Sequence, residues 1–321
     1  MKRVVPNTLV RALCSLLLVL SLAQVSNAQL KYEVGLNVGP SNFLGDLGGT
    51  FGRGQTFIKD NNIQMTRLMK GVFFSVAPSE FINFRFSLSF GRLEGADSII
   101  KGKGGMEETR RYRNLSFRSP ITEAYIGAEI FPTVFFEQDP SDLFHKIRPY
   151  GVIGVGVFHF NPQTVYTDPA GNKSWVDLRP LRTEGQGMPN HPDRKMYSLT
   201  QICIPYGVGF KYYVSDKFNV GLEIVDRKTF TDYIDDVSTT YIDPQDFYTY
   251  FGNTHTADVA AQVANRPPQG STTHRYGPGE KRGTATNNDA YYSTTIKLGI
   301  RLGGDGERSF RNSTRCPIIR F

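Results

Sequence analysis

The stretch Ile82–Gly91, INFRFSLSFG, decides the fold of this chain. Apolar side chains occupy every even position of the stretch, and polar residues or glycine occupy every odd position. A period of two is the repeat of a β-strand, whose successive side chains point to opposite faces of a sheet. One face of this strand is therefore apolar and the other is polar, with Arg85 on the polar face.

Further segments with a similar pattern are predicted to be strands. In chain order with the first stretch, the predicted strands are 31–39, 67–77, 82–91, 115–131, 147–160, 198–214, a strand that begins at 217, and 290–302. Tight turns at Pro78-Ser79 and Ser215-Asp216 predict antiparallel hairpins. The strand 147–160 is apolar or glycine on both faces, so its orientation stays open. Short and long connections alternate around the strands, which is typical of outer-membrane barrels.

The charged residues of the predicted strands lie on the face opposite the apolar side chains. Acidic and basic members of this set balance, with Glu33, Glu123, Glu129 and Glu223 against Arg85, Lys211, Lys297 and Arg301. Side chains fill the interior of an eight-stranded barrel, and charges enclosed there require partners. The sequence therefore predicts an all-β fold, an eight-stranded antiparallel transmembrane β-barrel with long outer loops and a lumen plugged by a network of these charges.

A soluble, secreted sandwich or calyx-type barrel is the alternative fold. Several apolar faces of the predicted strands end in tyrosine, at Tyr206 and Tyr212 and at Tyr291 and Tyr292. Such an arrangement is typical of a lipid-facing belt with aromatic girdles at its edges. For this reason the sequence favours the membrane barrel, and it predicts contact with the lipids of the outer membrane.

The two ends of the chain are predicted to lie outside the barrel. Residues 1–28 begin with basic residues, continue with a short apolar core and end in small residues, the pattern of a cleaved secretory signal peptide. Residues 29–302 form the predicted barrel, and residues 303–321 form a polar periplasmic tail. Loss of the three basic residues of the signal lowers the formal net charge from +7 to +4. With no basic helix or base-stacking motif, nucleic acid is not a predicted partner.

Two cysteines follow the predicted signal peptide. Cys203 lies on the polar face of a predicted strand near its outer end, and Cys316 lies in the tail. A disulfide between them is not expected, because an apolar band about 25 Å tall separates the two ends of such a barrel. Cys316 is therefore either a free thiol or the site of a disulfide with a periplasmic partner.

Candidate metal and cofactor motifs are weak in this sequence. Asp232, Asp235 and Asp236 would suit calcium by their oxygen ligands, but they lack the spacing of a calcium-binding loop. A solvated acidic loop is the preferred interpretation. The sequence predicts no metal, no cofactor and no enzymatic activity.

Two segments resemble a known family of outer-membrane proteins. The first is GLNVGPSNFLGDLGG, Gly35–Gly49, and the second is NVGLEIVDRKTFTDYIDDVSTTYID, Asn219–Asp243. On these segments, about an eighth of the chain, the sequence resembles the PorG family, outer-membrane barrels of the type IX secretion system of Bacteroidetes. The resemblance implies a non-enzymatic barrel that anchors a periplasmic ring of the PorK lipoprotein and PorN to the outer membrane. It supplies no catalytic residues.

Three hypotheses about function follow from the sequence. In the first, the periplasmic side contacts the ring, with the tail around Cys316 as the contact. In the second, the barrel binds ligands at the cell surface through its long outer loops. In the third, the barrel is a small-solute porin, against which the balanced charges of the predicted lumen argue.

Overall fold

The structure is a computed structural model that describes residues 30–47, 63–99, 107–136, 146–267 and 276–302. The predicted signal peptide and the predicted tail with Cys316 lie outside the described residues. The strands are β1 (Lys31–Leu44), β2 (Arg67–Ala77), β3 (Ile82–Ala96), β4 (Ser116–Ile130), β5 (Ile147–Phe160), β6 (Gln163–Thr167), β7 (Lys173–Asp177), β8 (Thr200–Tyr213), β9 (Phe218–Thr229) and β10 (Ala290–Leu302).

Short helices lie in the connections of the described chain. The α-helices are α1 (Glu107–Arg113), α2 (Pro244–Phe251) and α3 (His255–Ala264), and the 3-10 helices span Ile63–Met65, Asp97–Ile99, Pro132–Phe136 and Arg179–Leu181. None of the helices in the described ranges combines the length and the apolar composition that a membrane-crossing helix requires.

Backbone pairing runs in a full circle through eight of the strands. The order is β3, β2, β1, β10, β9, β8, β5, β4, and β4 pairs with β3 to close the circle. Every pair is antiparallel, and the first and last strands meet with Tyr32 opposite Leu302. The predicted eight-stranded antiparallel barrel is confirmed. The hairpin of β6 and β7 extends the sheet beyond the barrel, where Gln163 pairs with Arg118 of β4.

The alternation within Ile82–Gly91 separates the two surfaces of the barrel. Phe84 and Phe86 are 50% and 47% exposed, whereas Arg85 between them is 1% exposed. The same phase continues around the barrel as an exposed apolar belt of Tyr32, Leu36, Val38, Val72, Phe74, Phe90, Ile126, Ile153, Val155, Val157, Ile202, Tyr206, Val208, Phe210, Tyr212, Leu222, Ile296, Leu298 and Ile300. Such a belt identifies a transmembrane barrel of the outer-membrane type.

The structure defines the orientation of β5, which the sequence left open, and corrects the predicted position of two tyrosines in β10. In β5, Ile153 and Val155 point outward, and Phe158 is buried in the lumen. The prediction that Tyr291 and Tyr292 belong to an exposed girdle is wrong, because both side chains are buried. Tyr291 shares the inward phase of β10 with the lysine six residues later, so it points into the lumen.

The long connections at one end of the barrel fold into a cap, which we define as residues 161–199, 230–267 and 276–289. The cap has an apolar core of its own, formed by Tyr166, Leu178, Leu181, Met188, Ile242, Phe247, Ala257, Val259, Ala260, Ala261, Val263 and Ala264. Helix α2 begins where Asp243 accepts a hydrogen bond from the backbone of Gln245 at 2.9 Å and Pro244 occupies the first turn. The prediction of long outer loops is confirmed, and these loops are folded.

The opposite end of the barrel carries the start of β1, the end of β10 and the strand ends at which β2 leads to β3, β4 to β5 and β8 to β9. In outer-membrane barrels the chain ends and the short turns face the periplasm. We call this the periplasmic end, and the end beneath the cap the outer end.

Candidate functional site

Arg85 lies at the centre of a buried network of charges in the lumen. Its Nη1 donates to Glu129 Oε1 at 2.7 Å and to Glu223 Oε2 at 2.6 Å, and its Nη2 donates to the hydroxyl of Tyr125. A guanidinium can be removed from water where carboxylates share its charge and accept from its fixed fork of donors. Arg85 of β3 thereby connects β4 and β9 across the lumen.

Two lysines extend this network on either side of Glu129. Lys297 Nζ lies 2.7 Å from Glu129 Oε1 and 3.4 Å from Glu223 Oε2. Lys211 Nζ lies 3.1 Å from Glu129 Oε2 and 3.1 Å from Glu33 Oε2. These two lysines, the three glutamates and the central arginine form one connected group of balanced charge. We call these six residues the lumen network.

Two residues of the predicted lumen set lie outside this network. Glu123 pairs instead with Arg227, whose Nε and Nη2 lie 2.9 and 3.1 Å from its two carboxylate oxygens, and it accepts from the hydroxyl of Tyr291 at 2.6 Å. Arg301 lies at the periplasmic end, with its guanidinium carbon 4.1 Å from the ring centroid of Tyr213. Sequence reasoning missed Arg227. It lies four residues after Glu223 in β9, so its side chain points into the lumen on the same face of the strand.

Apolar and aromatic side chains fill the outer half of the lumen. The cluster comprises Phe43, Leu47, Met69, Leu93, Leu115, Phe117, Ile121, Phe158, Phe160, Tyr197, Cys203, Ile234, Val237 and Tyr291. Cys203 is a free thiol and fully buried within it. With the charges below and this cluster above, the barrel is built as a plug and not as an open pore.

The two segments that resemble the PorG family meet at the outer end. The backbone amide of Leu47 donates to Asp235 Oδ2 at 2.9 Å, and Leu47 packs in the same cluster as Ile234 and Val237. Asp289, just before β10, accepts from the amide of Ile234 at 2.8 Å. We call this region, residues 45–47, 230–238 and 289, the outer seam. Two distinctive segments far apart in the sequence therefore form one structural unit.

The carboxylates of the outer seam hold backbone amides. Asp235 Oδ1 accepts from the amide of Val237 at 3.0 Å, and Asp46 Oδ2 accepts from the amide of Thr284 at 2.6 Å. Burial, reinforced by neighbouring carboxylates, raises the pKa of Asp235 and of Asp289 well above the ordinary value. Burial likewise raises the pKa of Asp232 to about 8. This region therefore retains protons at pH values where an exposed aspartate has lost them.

The prediction of a solvated acidic loop is wrong. Asp232 is 7% exposed, and Asp235 and Asp236 are fully buried, because other segments of the cap, with Tyr197 and Arg282, pack against the loop that carries them. Asp236 accepts from the hydroxyl of Tyr197 at 2.8 Å, and burial raises its pKa to about 6 although Arg282 opposes the shift. Within the described ranges, no group of three His, Cys, Asp or Glu side chains is arranged to hold a metal ion.

A small cavity of about 30 Å³ opens at the periplasmic end. Lys31 Nζ and Arg148 Nη2 lie 3.3 and 2.9 Å from the two carboxylate oxygens of Glu80. Burial alone would raise the pKa of Glu80, but Arg148 and Lys31 outweigh it and lower the pKa below its ordinary value. With Tyr213 and Arg301, which also line the cavity, these residues form what we call the periplasmic mouth.

Comparison with protein families gives one match. The model described as "Domain of unknown function (DUF6089)" matches residues 10–179. Comparison with curated proteins gives no sequence match.

Several solved outer-membrane proteins are similar in structure to this chain. The attachment invasion locus protein Ail of Yersinia pestis is 7% identical with a TM-score of 0.34, covering 85% of this chain and 99% of its own. Neisserial surface protein A is 8% identical with a TM-score of 0.35, covering 84% and 97%. OprG of Pseudomonas aeruginosa is 10% identical with a TM-score of 0.34, covering 86% and 96%. These scores are low, so the fold rests on the strand pairings described above.

Proposed function

We propose that this chain, which belongs to the family described as a domain of unknown function (DUF6089), is a non-enzymatic outer-membrane anchor for a periplasmic assembly. The assembly we propose is the ring of the PorK lipoprotein and PorN in the type IX secretion system. The proposal includes export by the predicted signal peptide, which lies outside the described residues.

The plugged lumen is the observation that carries this proposal. The lumen network fills the periplasmic half, and the apolar cluster around Tyr291 fills the outer half. Side chains that fill the described lumen in this way argue against passage of a solute, so the wall and the two ends of the barrel are the parts that can act. The periplasmic end offers exposed groups at the level where an anchored ring would lie.

The resemblance to the PorG family adds support from an independent direction. It is carried by two segments, Gly35–Gly49 and Asn219–Asp243. Leu47 of the first and Asp235 of the second are joined by a hydrogen bond of 2.9 Å. The two segments therefore belong to one structural unit, which supports the resemblance.

Affinity purification in mild detergent tests the proposal. The tagged barrel, taken from its own cells, is expected to retain PorK and PorN after size-exclusion chromatography. A matched purification of another eight-stranded barrel from the same membranes is the control. Recovery of the ring proteins at the level of this control would rule out the anchoring role.

The tail provides a narrower form of the same proposal. If Cys316 forms a disulfide with a ring protein, non-reducing electrophoresis will show a high-mass band that a reductant removes. The variant Cys316→Ser is expected to lack this band, whereas the buried Cys203→Ser is expected to keep it. An unchanged pattern in Cys316→Ser would exclude the covalent contact and leave the anchoring role intact.

Binding through the cap is the second candidate function. Trp175 of β7 is 47% exposed and lies 3.6 Å from the guanidinium carbon of Arg118, which holds the ring at the surface of the folded cap. Aromatic rings fixed in this way are frequent in binding surfaces. The variant Trp175→Ala would then weaken ligand binding and leave secretion unchanged, and loss of secretion in this variant would contradict the division of roles.

A further inference from the structure

The hairpin of β6 and β7 leaves one edge of the sheet open at the outer end. β7 is the last strand of the sheet, and within the described ranges it pairs only with β6. Four of its five side chains are exposed, whereas Val176 packs against the core of the cap. An open edge presents a row of backbone donors and acceptors to which another strand can pair. We call β7, Lys173–Asp177, the free edge.

The hydrogen bonds that flank the hairpin define which backbone groups point outward. The amide of Leu178 donates to the carbonyl oxygen of Pro162 at 2.8 Å, and the amide of Asp168 donates to that of Asn172 at 2.9 Å. Hydrogen-bonded and non-hydrogen-bonded pairs alternate along antiparallel strands. The residues of β7 that bond to β6 are therefore Ser174 and Val176, and those whose backbone groups point outward are Lys173, Trp175 and Asp177.

Opposite charges lie at the two ends of the free edge. Lys173 and Asp177 share the exposed face of β7 with Trp175 between them. They are about 13 Å apart along the extended strand, so they cannot pair within one copy. The carboxylate of Asp177 accepts from the side-chain amides of Asn161 and Gln163 at 3.0 and 2.7 Å, and these donors carry no charge. Among the described residues, neither Lys173 nor Asp177 forms an ion pair.

The free edge is complementary to a second copy of itself. An antiparallel pair centred on Trp175 places Lys173 of each copy opposite Asp177 of the other, with the two Trp175 residues facing each other. Opposite charges and aromatic rings in facing positions stabilise antiparallel strands. In this register the outward backbone groups also fall in hydrogen-bonded positions, so one pairing satisfies both the charges and the backbone. A parallel pair in register would place like charges opposite each other.

We propose that the cap binds a second copy of this chain by antiparallel pairing of the two free edges. The contact is isologous, because the same residues serve on both sides. One pair of short strands is small beside the roughly 1,600 Å² of a stable interface, so a single contact is weak. Many copies on one surface strengthen it. This inference is independent of the anchoring role; it rests on the second candidate function, binding through the cap, and names its partner.

The position of the hairpin predicts how the two copies are oriented. Ile121 of β4 pairs with Phe160 of β5, and Arg118 of β4 pairs with Gln163 of β6 in the same register. The hairpin thus continues the barrel wall, so the perpendicular to its sheet is also perpendicular to the barrel axis. The twofold axis of an antiparallel strand pair is perpendicular to the sheet, and it therefore reverses the barrel axis. The two barrels of the pair lie in two facing membranes.

Charge reversal at the two ends of the free edge tests this register. The test uses the full-length barrel in vesicles of phosphatidylethanolamine and phosphatidylglycerol, whose clustering is followed by light scattering. The wild type is expected to cluster the vesicles. The variants Lys173→Asp and Asp177→Lys each place like charges opposite each other in a pair of identical copies, so each is expected to lower clustering about tenfold. Higher salt is expected to weaken the wild-type contact.

A mixture of the two variants provides the decisive arm. Vesicles with Lys173→Asp, mixed with vesicles with Asp177→Lys, are expected to cluster as the wild type does, because both charge pairs are restored between unlike copies. The variants Asp193→Lys and Lys195→Asp reverse exposed charges elsewhere on the cap and are the matched controls, expected to leave clustering unchanged. Heat-modifiable migration in electrophoresis checks that each barrel is folded.

Amide hydrogen exchange of the dilute barrel in detergent tests whether the edge is open in one copy. The amide of Trp175 is expected to exchange fast, and the amides of Ser174 and Val176, which bond to β6, are expected to exchange slowly. Slow exchange at Trp175 in the monomer would show that a segment of this chain already occupies the edge, and this result would overturn the proposal.

The remaining outcomes separate the partner from the functions proposed above. Mixed vesicles that fail to cluster, or clustering that both charge reversals leave unchanged, would overturn pairing of the free edges. A dimer in detergent without clustering of vesicles would place both copies in one membrane and contradict the facing arrangement. If the wild type does not self-associate but Trp175→Ala weakens binding of another ligand, the cap remains a binding surface and the second copy is the wrong partner. Recovery of the ring proteins tests the anchoring role separately.

Discussion

The lumen network and the outer seam both bury acidic side chains, and they stabilise them in opposite ways. In the lumen network each carboxylate faces cations, as Glu129 faces Arg85, Lys211 and Lys297. In the outer seam the carboxylates accept from backbone amides, as Asp235 does from Leu47 and Val237. Cations keep a carboxylate ionised, whereas desolvation beside other carboxylates favours its protonated form. Ion pairs therefore stabilise the interior of the barrel, whereas burial beside other carboxylates favours protonated carboxyls where the cap joins it.

The largest effect is expected from breaking the lumen network at its most connected residue. The variant Glu129→Gln leaves Arg85, Lys211 and Lys297 with one of two carboxylate partners each. Removal of one partner from a buried ion group destabilises by about 3–5 kcal/mol. Urea unfolding of the barrel in detergent, followed by heat-modifiable migration, measures the change. The control Glu94→Gln, whose side chain pairs with Arg92 at 3.0 Å and is 16% exposed, is expected to lose far less. Equal losses would show that the lumen network contributes no special stability.

The next effect concerns the apolar side of the outer seam. Leu47 is 1% exposed and packs among Ile234 and Val237, so Leu47→Ala is expected to cost about 2–4 kcal/mol. The loss should open the cap and leave the barrel closed. Hydrogen exchange is expected to rise in residues 230–238 and stay unchanged in β4 and β5. Faster exchange across the whole barrel would mean that the outer seam and the barrel unfold as one unit.

A smaller effect is expected from pH, and its sign distinguishes the two regions. The pKa of Asp232 is about 8 in the folded chain, above the ordinary value of an aspartate, so the folded outer seam keeps a proton that the unfolded chain releases. Its stabilising contribution is full below about pH 4 and is lost as the pH rises toward 8. Between pH 5 and pH 9 the cap is therefore expected to lose stability.

Unfolding of the cap at pH 5, 7 and 9, followed by limited proteolysis, checks this prediction. The variant Asp232→Asn is expected to reduce the pH dependence, because an amide has no proton to lose in this range, whereas Asp235, Asp236 and Asp289 keep their contributions. The exposed control Asp177→Asn should keep the slope of the wild type. A cap that becomes more stable as the pH rises would contradict the assignment of protonated carboxyls to the outer seam.

The smallest effect is expected at the periplasmic mouth, where the ion pairs are partly exposed. The side chains of Lys31 and Glu80 are 42% and 36% exposed, so Lys31→Ala is expected to change stability by about 0–1 kcal/mol. Salt should weaken the pair further. A loss above 2 kcal/mol in urea unfolding would place this pair with the buried ion groups instead.

The sequence predicts the barrel well because its alternation is a local property. The bounds of β2, β5 and β10 agree with the predicted strands, and the inward phase brings Glu33, Lys211 and their partners together. The sequence prediction of β9 covers the alternation only to Ile224, whereas the strand extends to Thr229. Arg227 continues the inward-facing odd positions of β9, and this alternation is the signal that identifies it.

The cap could not be predicted in the same way. Helices α2 and α3 are short, so neither contains a long periodic pattern of apolar residues. Their apolar residues pack in the core of the cap and not in the barrel. The Asp243-Pro244 start of α2 was a usable signal. The burial of Asp232 and Asp235 depends on which distant segment covers them, and a local sequence holds no information on that. The outer seam can therefore be recognised only from the three-dimensional positions of its segments.

Closure of the barrel by β1 and β10 has a consequence for its biogenesis. The strand made first pairs with the strand made last, from Tyr32 opposite Leu302 to Leu44 opposite Ala290. Until translation and export deliver β10, the nascent sheet carries two open edges with unpaired backbone groups, which invite aggregation. The chain must therefore be protected from aggregation while it crosses the periplasm in an unclosed form. Truncation within β10 will leave backbone groups at the edge of the sheet permanently unpaired.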